Sequence, residues 1–266
     1  MNLQTDFINI SSWFEKNSMV LNSDKCHFML LGSTNNTIDF RCGNTVLKVC
    51  KQAKILGITI DNKLKFSTHI DHICKTASQK LNALHRVSGV MCESKKSLLI
   101  SSYVKSQFQY CPLIWMFCSK TSMKKINRIH EKSLRIIYND YVSDYNNLLS
   151  LSNKPTIHQY CIQSLVTEIY KFLNNLSPDV MNKVFTLREI PYQLRNPNIF
   201  LTDNPRKSRF GLDTVTYRSS QIWAILPENM RQSASLSIFK TKIKEWKCEN
   251  CPCRLCKNYE CNIGFI

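Results

Sequence analysis

A chain of 266 residues that is 43% hydrophobic has room for one large domain or two smaller ones, and its apolar content excludes disorder of the whole. With 36 Lys and Arg against 19 Asp and Glu, the net charge is +17, a field that favours polyanions, nucleic acid before acidic membrane surfaces. Unbroken apolar runs such as Leu113–Cys118 are far too short to span a bilayer, and the Met1–Gln4 start has neither the basic nor the apolar part of a signal peptide, so membrane anchoring is not expected.

The chain opens with Leu3, Phe7, Ile10 and Phe14 at helical spacing, which predicts an amphipathic helix broken at Asn22-Ser23-Asp24. The apolar run Cys26–Leu31, ended by Gly32-Ser33, reads as a strand. Segments Ile38–Arg41 and Thr45–Val49 flank the hairpin signal Gly43-Asn44, and Lys54–Ile60 reads as a further strand interrupted by Gly57. From Ser67 the period changes. Ile70, Ile73, Ala77, Leu81, Leu84 and Val87 predict a helix closed by Gly89, followed by helices over about Ser94–Tyr110 and Thr121–Tyr138. Two more are expected at Thr156–Asn174 and Ser235–Lys247, with a Pro- and Asn-rich loop at 191–205 between them.

The expected fold is α+β and mainly helical: a small antiparallel sheet within 1–62, a basic helical region at 63–150, a helical extension at 151–247 and a cysteine-rich tail at 248–266. Charge follows this division. Residues 1–50 are net neutral, 51–150 carry +10 and 151–266 carry +7, which places the expected polyanion surface beyond the first segment. The 13 cysteines are odd in number and most lie singly in apolar stretches. That fits reduced thiols inside the cell, in nucleus or cytoplasm, better than a disulfide scaffold.

Three segments, in order and at fitting spacing over about 130 residues, carry a family likeness. The first is Trp13-Phe14, Asn17-Ser18-Met19, Leu21-Asn22 and Lys25. The second is Lys54-Ile55-Leu56-Gly57-Ile58-Thr59-Ile60-Asp61 with Leu64 and His69-Ile70. The third runs from Tyr103 to Tyr110, Pro112 and Trp115, then Lys125-Ile126, Ile129-His130 and Leu134-Arg135. Together they resemble the reverse transcriptases of non-LTR retrotransposons of the LINE and jockey kind, from the end of the palm through the primer grip and thumb into a helical region. Trp223–Pro227, Phe239-Lys240 and Trp246 also look like that family's C-terminal segment.

The resemblance implies that Leu56-Gly57 forms the primer-grip turn, where glycine lets backbone approach a nucleic acid strand. It also implies that Lys25 occupies the position of a lysine that acts on the departing pyrophosphate. Polymerases of this family hold two Mg²⁺ ions on palm carboxylates that include an adjacent aspartate pair. No two acidic residues are adjacent in this sequence and only twelve residues precede Trp13. The expectation is therefore a truncated RNA-directed DNA polymerase that is not itself an enzyme: catalytic residues none, Lys25 at most vestigial, and Mg²⁺ belonging only to a full-length enzyme. Its expected partner is the backbone of template–primer RNA or DNA, bound without reading sequence; no small-molecule substrate is expected.

On the helix predicted after Ser119, Lys120, Lys124, Lys125, Arg128, Lys132 and Arg135 fall on one side, with Met123, Ile126, Ile129, Leu134 and Ile137 roughly opposite. A basic strip of that kind suits phosphates, each contact releasing counterions. The only interspersed acid is Glu131. His69, His72 and Cys74 are read as ordinary helix residues rather than metal ligands. At the C-terminus, Cys248, Cys251, Cys253 and Cys256 form C-x2-C-x-C-x2-C, a spacing at which thiolates take corners of a zinc tetrahedron. The two pairs are unusually close, so Cys261 or a residue from elsewhere is a candidate to complete the site, and a tail without metal stands beside this reading. Two alternatives to the polymerase fragment stay open: a zinc-dependent nucleic-acid-binding or interaction protein, and a translated transposon relic without function.

Overall fold

A computed structural model describes residues 3–32, 40–42, 45–188, 200, 211–212, 214–248, 250–253 and 255–256. The chain divides into two compact units, Met1–His69 and Ile70–Ile266. The fold is α+β and mainly helical, as the periodicity predicts. Apart from the buried Phe200, the expected loop at 191–205 lies outside the described residues, as do the turn Gly43-Asn44 and Cys261.

In the first unit, α1 (Leu3–Lys16) is followed by a 3-10 turn at Ser23–Lys25, capped by the Asn22 side chain accepting the Asp24 N–H. Strands β1 (Phe40–Cys42) and β2 (Thr45–Leu47) pair antiparallel, and so do β3 (Gln52–Ile55) and β4 (Ile58–Asp61). The sheet is thus two separate hairpins. The strand expected at Cys26–Leu31 is reduced to a single bridge between Phe28 and Val49. Its apolar residues are used in packing instead: Phe28 stacks on Phe40 at 4.9 Å, Phe7 meets Phe40 edge-on at 5.2 Å, and Cys42 and Leu47 complete the cluster. Aromatic contacts of this kind stabilise beyond their buried area.

The segment Lys54–Ile60 is not one interrupted strand. It turns at Leu56-Gly57, where both residues have positive φ, 48° and 85°, as a two-residue hairpin with the native strand twist requires. Beyond β4, the Asp61 carboxylate accepts the backbone N–H groups of Lys63, Lys65 and Phe66. This loop leads into α2 (Ser67–Val87), and the buried His69 Nδ1 accepts the Thr59 N–H, a structural duty.

The second unit is all helix among its described residues apart from an isolated bridge between Leu187 and Phe200. From α2 it buries Ile70, Ile73, Ala77 and Leu81 of the predicted face, while Leu84 is half-buried and Val87 is exposed where the helix ends. The helix expected at 94–110 is composite. α3 (Glu93–Ile100) passes into a π-helical turn at Ser101–Lys105 and then α4 (Ser106–Gln109). After α5 (Pro112–Trp115) comes α6 (Lys120–Tyr138), N-capped by Ser119 and ended by Asn139 in the left-handed region. Then follow α7 (Tyr145–Ser152), α8 (Ile157–Leu173), α9 (Val215–Ala224), α10 (Glu228–Arg231) and α11 (Leu236–Glu245).

Helix α8 is the centre of this unit, packing against α5, α6, α9 and α11. Cys161, Ile162, Leu165, Val166 and Ile169 are buried on it, and Tyr170 stacks on Phe239 of α11 at 4.1 Å. The regions expected separately at 63–150 and 151–247 share this one body from Ile70 onward.

Candidate metal centre and basic helix face

The first turn of α8 is polar where a packed helix would ordinarily be apolar. Thr156 caps it by accepting the Gln159 N–H, and His158, Gln159 and Gln163 are all buried. Buried amides need partners, and both glutamines find them on the chain that leaves α11. Gln159 donates to the Trp246 carbonyl at 2.9 Å and accepts the Cys248 N–H at 3.2 Å. Gln163, one turn on, donates to the carbonyls of Trp246 and Lys244. The backbone of residues 244–248 is thereby held across the start of α8, which delivers the cysteines that follow to His158.

The ligand atoms of His158, Cys251, Cys253 and Cys256 all lie within 4.8 Å of one another, and all four residues are buried. His158 Nε2 is 3.3 Å from Cys253 Sγ, and the Cys256 N–H donates to the same sulfur at 3.4 Å. This group can hold a metal ion. Hydrogen bonds from Cys248 first, then Cys253 and Cys256, hold the Cys251 thiol far below the ordinary cysteine range, while the contact with Cys251 raises Cys248. Burial opposes charge on His158, yet hydrogen bonds to Cys251 and Cys253 raise its pKa to about 10. The cluster thus favours negative charge on the Cys251 sulfur at a place where three other donor atoms converge, as a cation site requires.

Three of the four cysteines expected as ligands meet here. Cys248 is buried and touches Cys251 but lies outside the mutually close set. His158 was not singled out in the sequence. It stands more than ninety positions upstream of its partners, without a local motif; the one signal was the cramped cysteine spacing that asks for a donor from elsewhere. His69, His72 and Cys74 form no such group; burial pushes the Cys74 thiol up to about 12.

The second candidate surface is α6. Its buried face comprises Met123, Ile126, His130, Leu134, Ile136 and Ile137, with Ile129 half-buried. Lys124, Lys125, Arg128 and Lys132 are exposed, and Lys120 and Arg135 half-buried. The strip is partly engaged within the chain. Lys125 pairs with Asp71 on α2, Lys132 donates to Asn82 at 2.7 Å, and Arg135 pairs with Glu131 at 2.7 Å. An exposed ion pair such as Lys125–Asp71 contributes little stability, whereas the Arg135–Glu131 pair is half-buried. Arg128 has no ion pair or side-chain hydrogen bond among the described residues.

Of the remaining expected sites, Lys25 is exposed at the end of its 3-10 turn, and Leu56 is 86% exposed at the hairpin tip beside Gly57. Among the described residues no helix is long and apolar enough to cross a membrane. No family model, curated protein or solved structure matches the chain.

Proposed function

We propose that this chain is the end of the palm, the thumb and the helical extension of a non-LTR retrotransposon reverse transcriptase, acting as a binder of template–primer backbone and not as a polymerase. The observation that carries the binding part is the α6 row Lys124, Arg128 and Lys132, exposed at four-residue spacing on a helix whose other side is core. Such a row follows a phosphate backbone without contacting bases, so affinity depends on charge and not on sequence. The Leu56-Gly57 tip supports the primer-grip reading, because its leucine is 86% exposed at a turn where both residues have positive φ, open to a strand laid against it. Fluorescence anisotropy with a labelled primer–template duplex tests the reading: affinity falls steeply with salt and is insensitive to sequence. Salt-independent or absent binding overturns it.

A second reading, a zinc-dependent binding or interaction protein, is favoured by the cluster at His158. Nitrogen and thiolate donors in a buried four-atom set fit zinc better than the oxygen-seeking Mg²⁺ or Ca²⁺. The two readings are compatible, since a structural zinc can stabilise a nucleic-acid-binding body. Elemental analysis of the purified chain decides the second, which fails if no zinc accompanies the protein from zinc-replete cells.

A further inference from the structure

We infer that the tail is fastened to α8 by a zinc ion held by His158, Cys251, Cys253 and Cys256, with Cys248 standing outside the coordination sphere. This rests on the zinc reading above and adds to it the ligand set and its consequence for the fold.

Among the described residues His158, Cys248, Cys251, Cys253 and Cys256 offer five donors for four positions, and the geometry separates them. Zinc bonds of about 2.0–2.3 Å in a tetrahedron place neighbouring donor atoms roughly 3.3–3.8 Å apart. The four atoms of the set lie within 4.8 Å of each other, and the His158–Cys253 edge is already 3.3 Å. Closing on an ion therefore needs only small side-chain movements. A four-cysteine site would instead have to draw in Cys248, whose backbone N–H is held by Gln159, and would leave the His158 imidazole facing a metal-bound sulfur without joining it.

Outer contacts match this assignment. The Cys256 N–H donates to Cys253 Sγ, a bond that a metal-bound thiolate strengthens. All four ligands are buried, so the site is closed, with no open position for substrate. Its role is structural.

The consequence follows from chain separation. His158 and Cys253 are 95 positions apart, and a cross-link between distant positions removes much freedom from the unfolded chain. One end is the first turn of the helix that α5, α6, α9 and α11 pack against. The other is the segment leaving α11. Metal binding in such a site is coupled to folding, so loading with zinc holds the segment 248–256 on α8 and its loss releases it.

Cobalt substitution of the full chain provides the test, because sulfur-to-cobalt charge-transfer absorbance scales with the number of bound thiolates. The expected result is one metal per chain with three thiolates. Cys248→Ser leaves the spectrum unchanged, and His158→Cys, which keeps a donor in place, raises the charge-transfer band by about one third. Limited proteolysis after chelation should cut within 247–256 at least tenfold faster than in the loaded protein. A four-thiolate spectrum that loses intensity in Cys248→Ser and ignores His158→Cys overturns the ligand assignment while leaving the zinc reading intact. Proteolysis indifferent to metal overturns the fastening. Failure to bind any zinc or cobalt overturns the zinc reading itself.

Discussion

The imidazole Nε2 of His158 lies 3.3 Å from the sulfur of Cys253, 95 positions further along the chain. The contact depends on Gln159 beside it, whose side-chain amide holds both the Trp246 carbonyl and the Cys248 N–H. Replacing Gln159 with Leu takes the acceptor from the Cys248 N–H and leaves the Trp246 carbonyl to Gln163 alone. The expected cost is about 1–3 kcal/mol in urea unfolding. A zinc affinity lower by roughly ten- to a hundredfold should accompany it, because the tail is no longer aimed at the site. Competition with a chromophoric chelator measures the second effect, and an unchanged affinity would separate the glutamine from the metal centre.

His130 makes stability depend on pH. Burial, reinforced by the charges of Lys105 and Lys154, lowers its pKa from 6.5 to about 3, while Nδ1 shares a 2.8 Å hydrogen bond with the Tyr145 hydroxyl. Because the folded pKa lies below the unfolded one, the unfolded chain takes up the proton first as pH falls. Stability is full above pH 6.5 and is lost between 6.5 and 3, by ~3 kcal/mol from pH 7 to pH 4.5. His130→Asn should flatten this part of the profile in chemical denaturation. A wild-type curve that is already flat would contradict the burial of a neutral imidazole.

Lys105, in the π-helical turn, is a half-buried cation with no ion pair or hydrogen bond among the described residues. Burial first, and the charge of Lys154 second, lower its pKa from 10.5 to about 8. Below pH 8 the ammonium is retained at a cost; the folded state sheds its proton first, so this penalty disappears as pH rises from 8 to 10.5. Lys105→Met keeps the stem and removes the charge. It should stabilise the chain at pH 7 by about 1–3 kcal/mol, seen as a higher urea midpoint, with the gain shrinking toward pH 10.

The helices were legible in the sequence because their apolar residues recur without a break. Ile70, Ile73, Ala77 and Leu81 form a continuous stripe that is wholly buried, and α6 was bounded to within a residue by the stripe through Met123, Ile126 and Leu134. The first unit was less legible. Cys26–Leu31 has a strand's composition, yet a strand exists only where a partner supplies its hydrogen bonds, and among the described residues the segment makes a single bridge, Phe28 to Val49. Leu56-Gly57 lacks the Asn-Gly or Asp-Gly chemistry that announces a two-residue turn. Only three of the metal cluster's members had a visible pattern, because the fourth, His158, is brought in by tertiary packing.

Leu56 offers a test in the first unit. A leucine at φ 48° is strained by roughly 1 kcal/mol, and asparagine or glycine tolerates that conformation better. Leu56→Asn should raise thermal stability slightly while weakening binding to a primer–template duplex, the signature of a residue kept for contact. Stability and affinity that rise together would show the leucine to be of no use to binding.

The most direct measurement is the salt dependence of duplex binding by the full chain and by a Lys124→Gln, Arg128→Gln, Lys132→Gln variant. Each lost phosphate contact reduces the slope of log affinity against log salt by about 0.9. The account predicts a steep slope for the unaltered protein and a slope shallower by roughly two to three in the variant, with its helical content unchanged. Equal slopes for the two proteins would contradict the assignment of α6 as the surface that grips the phosphate backbone.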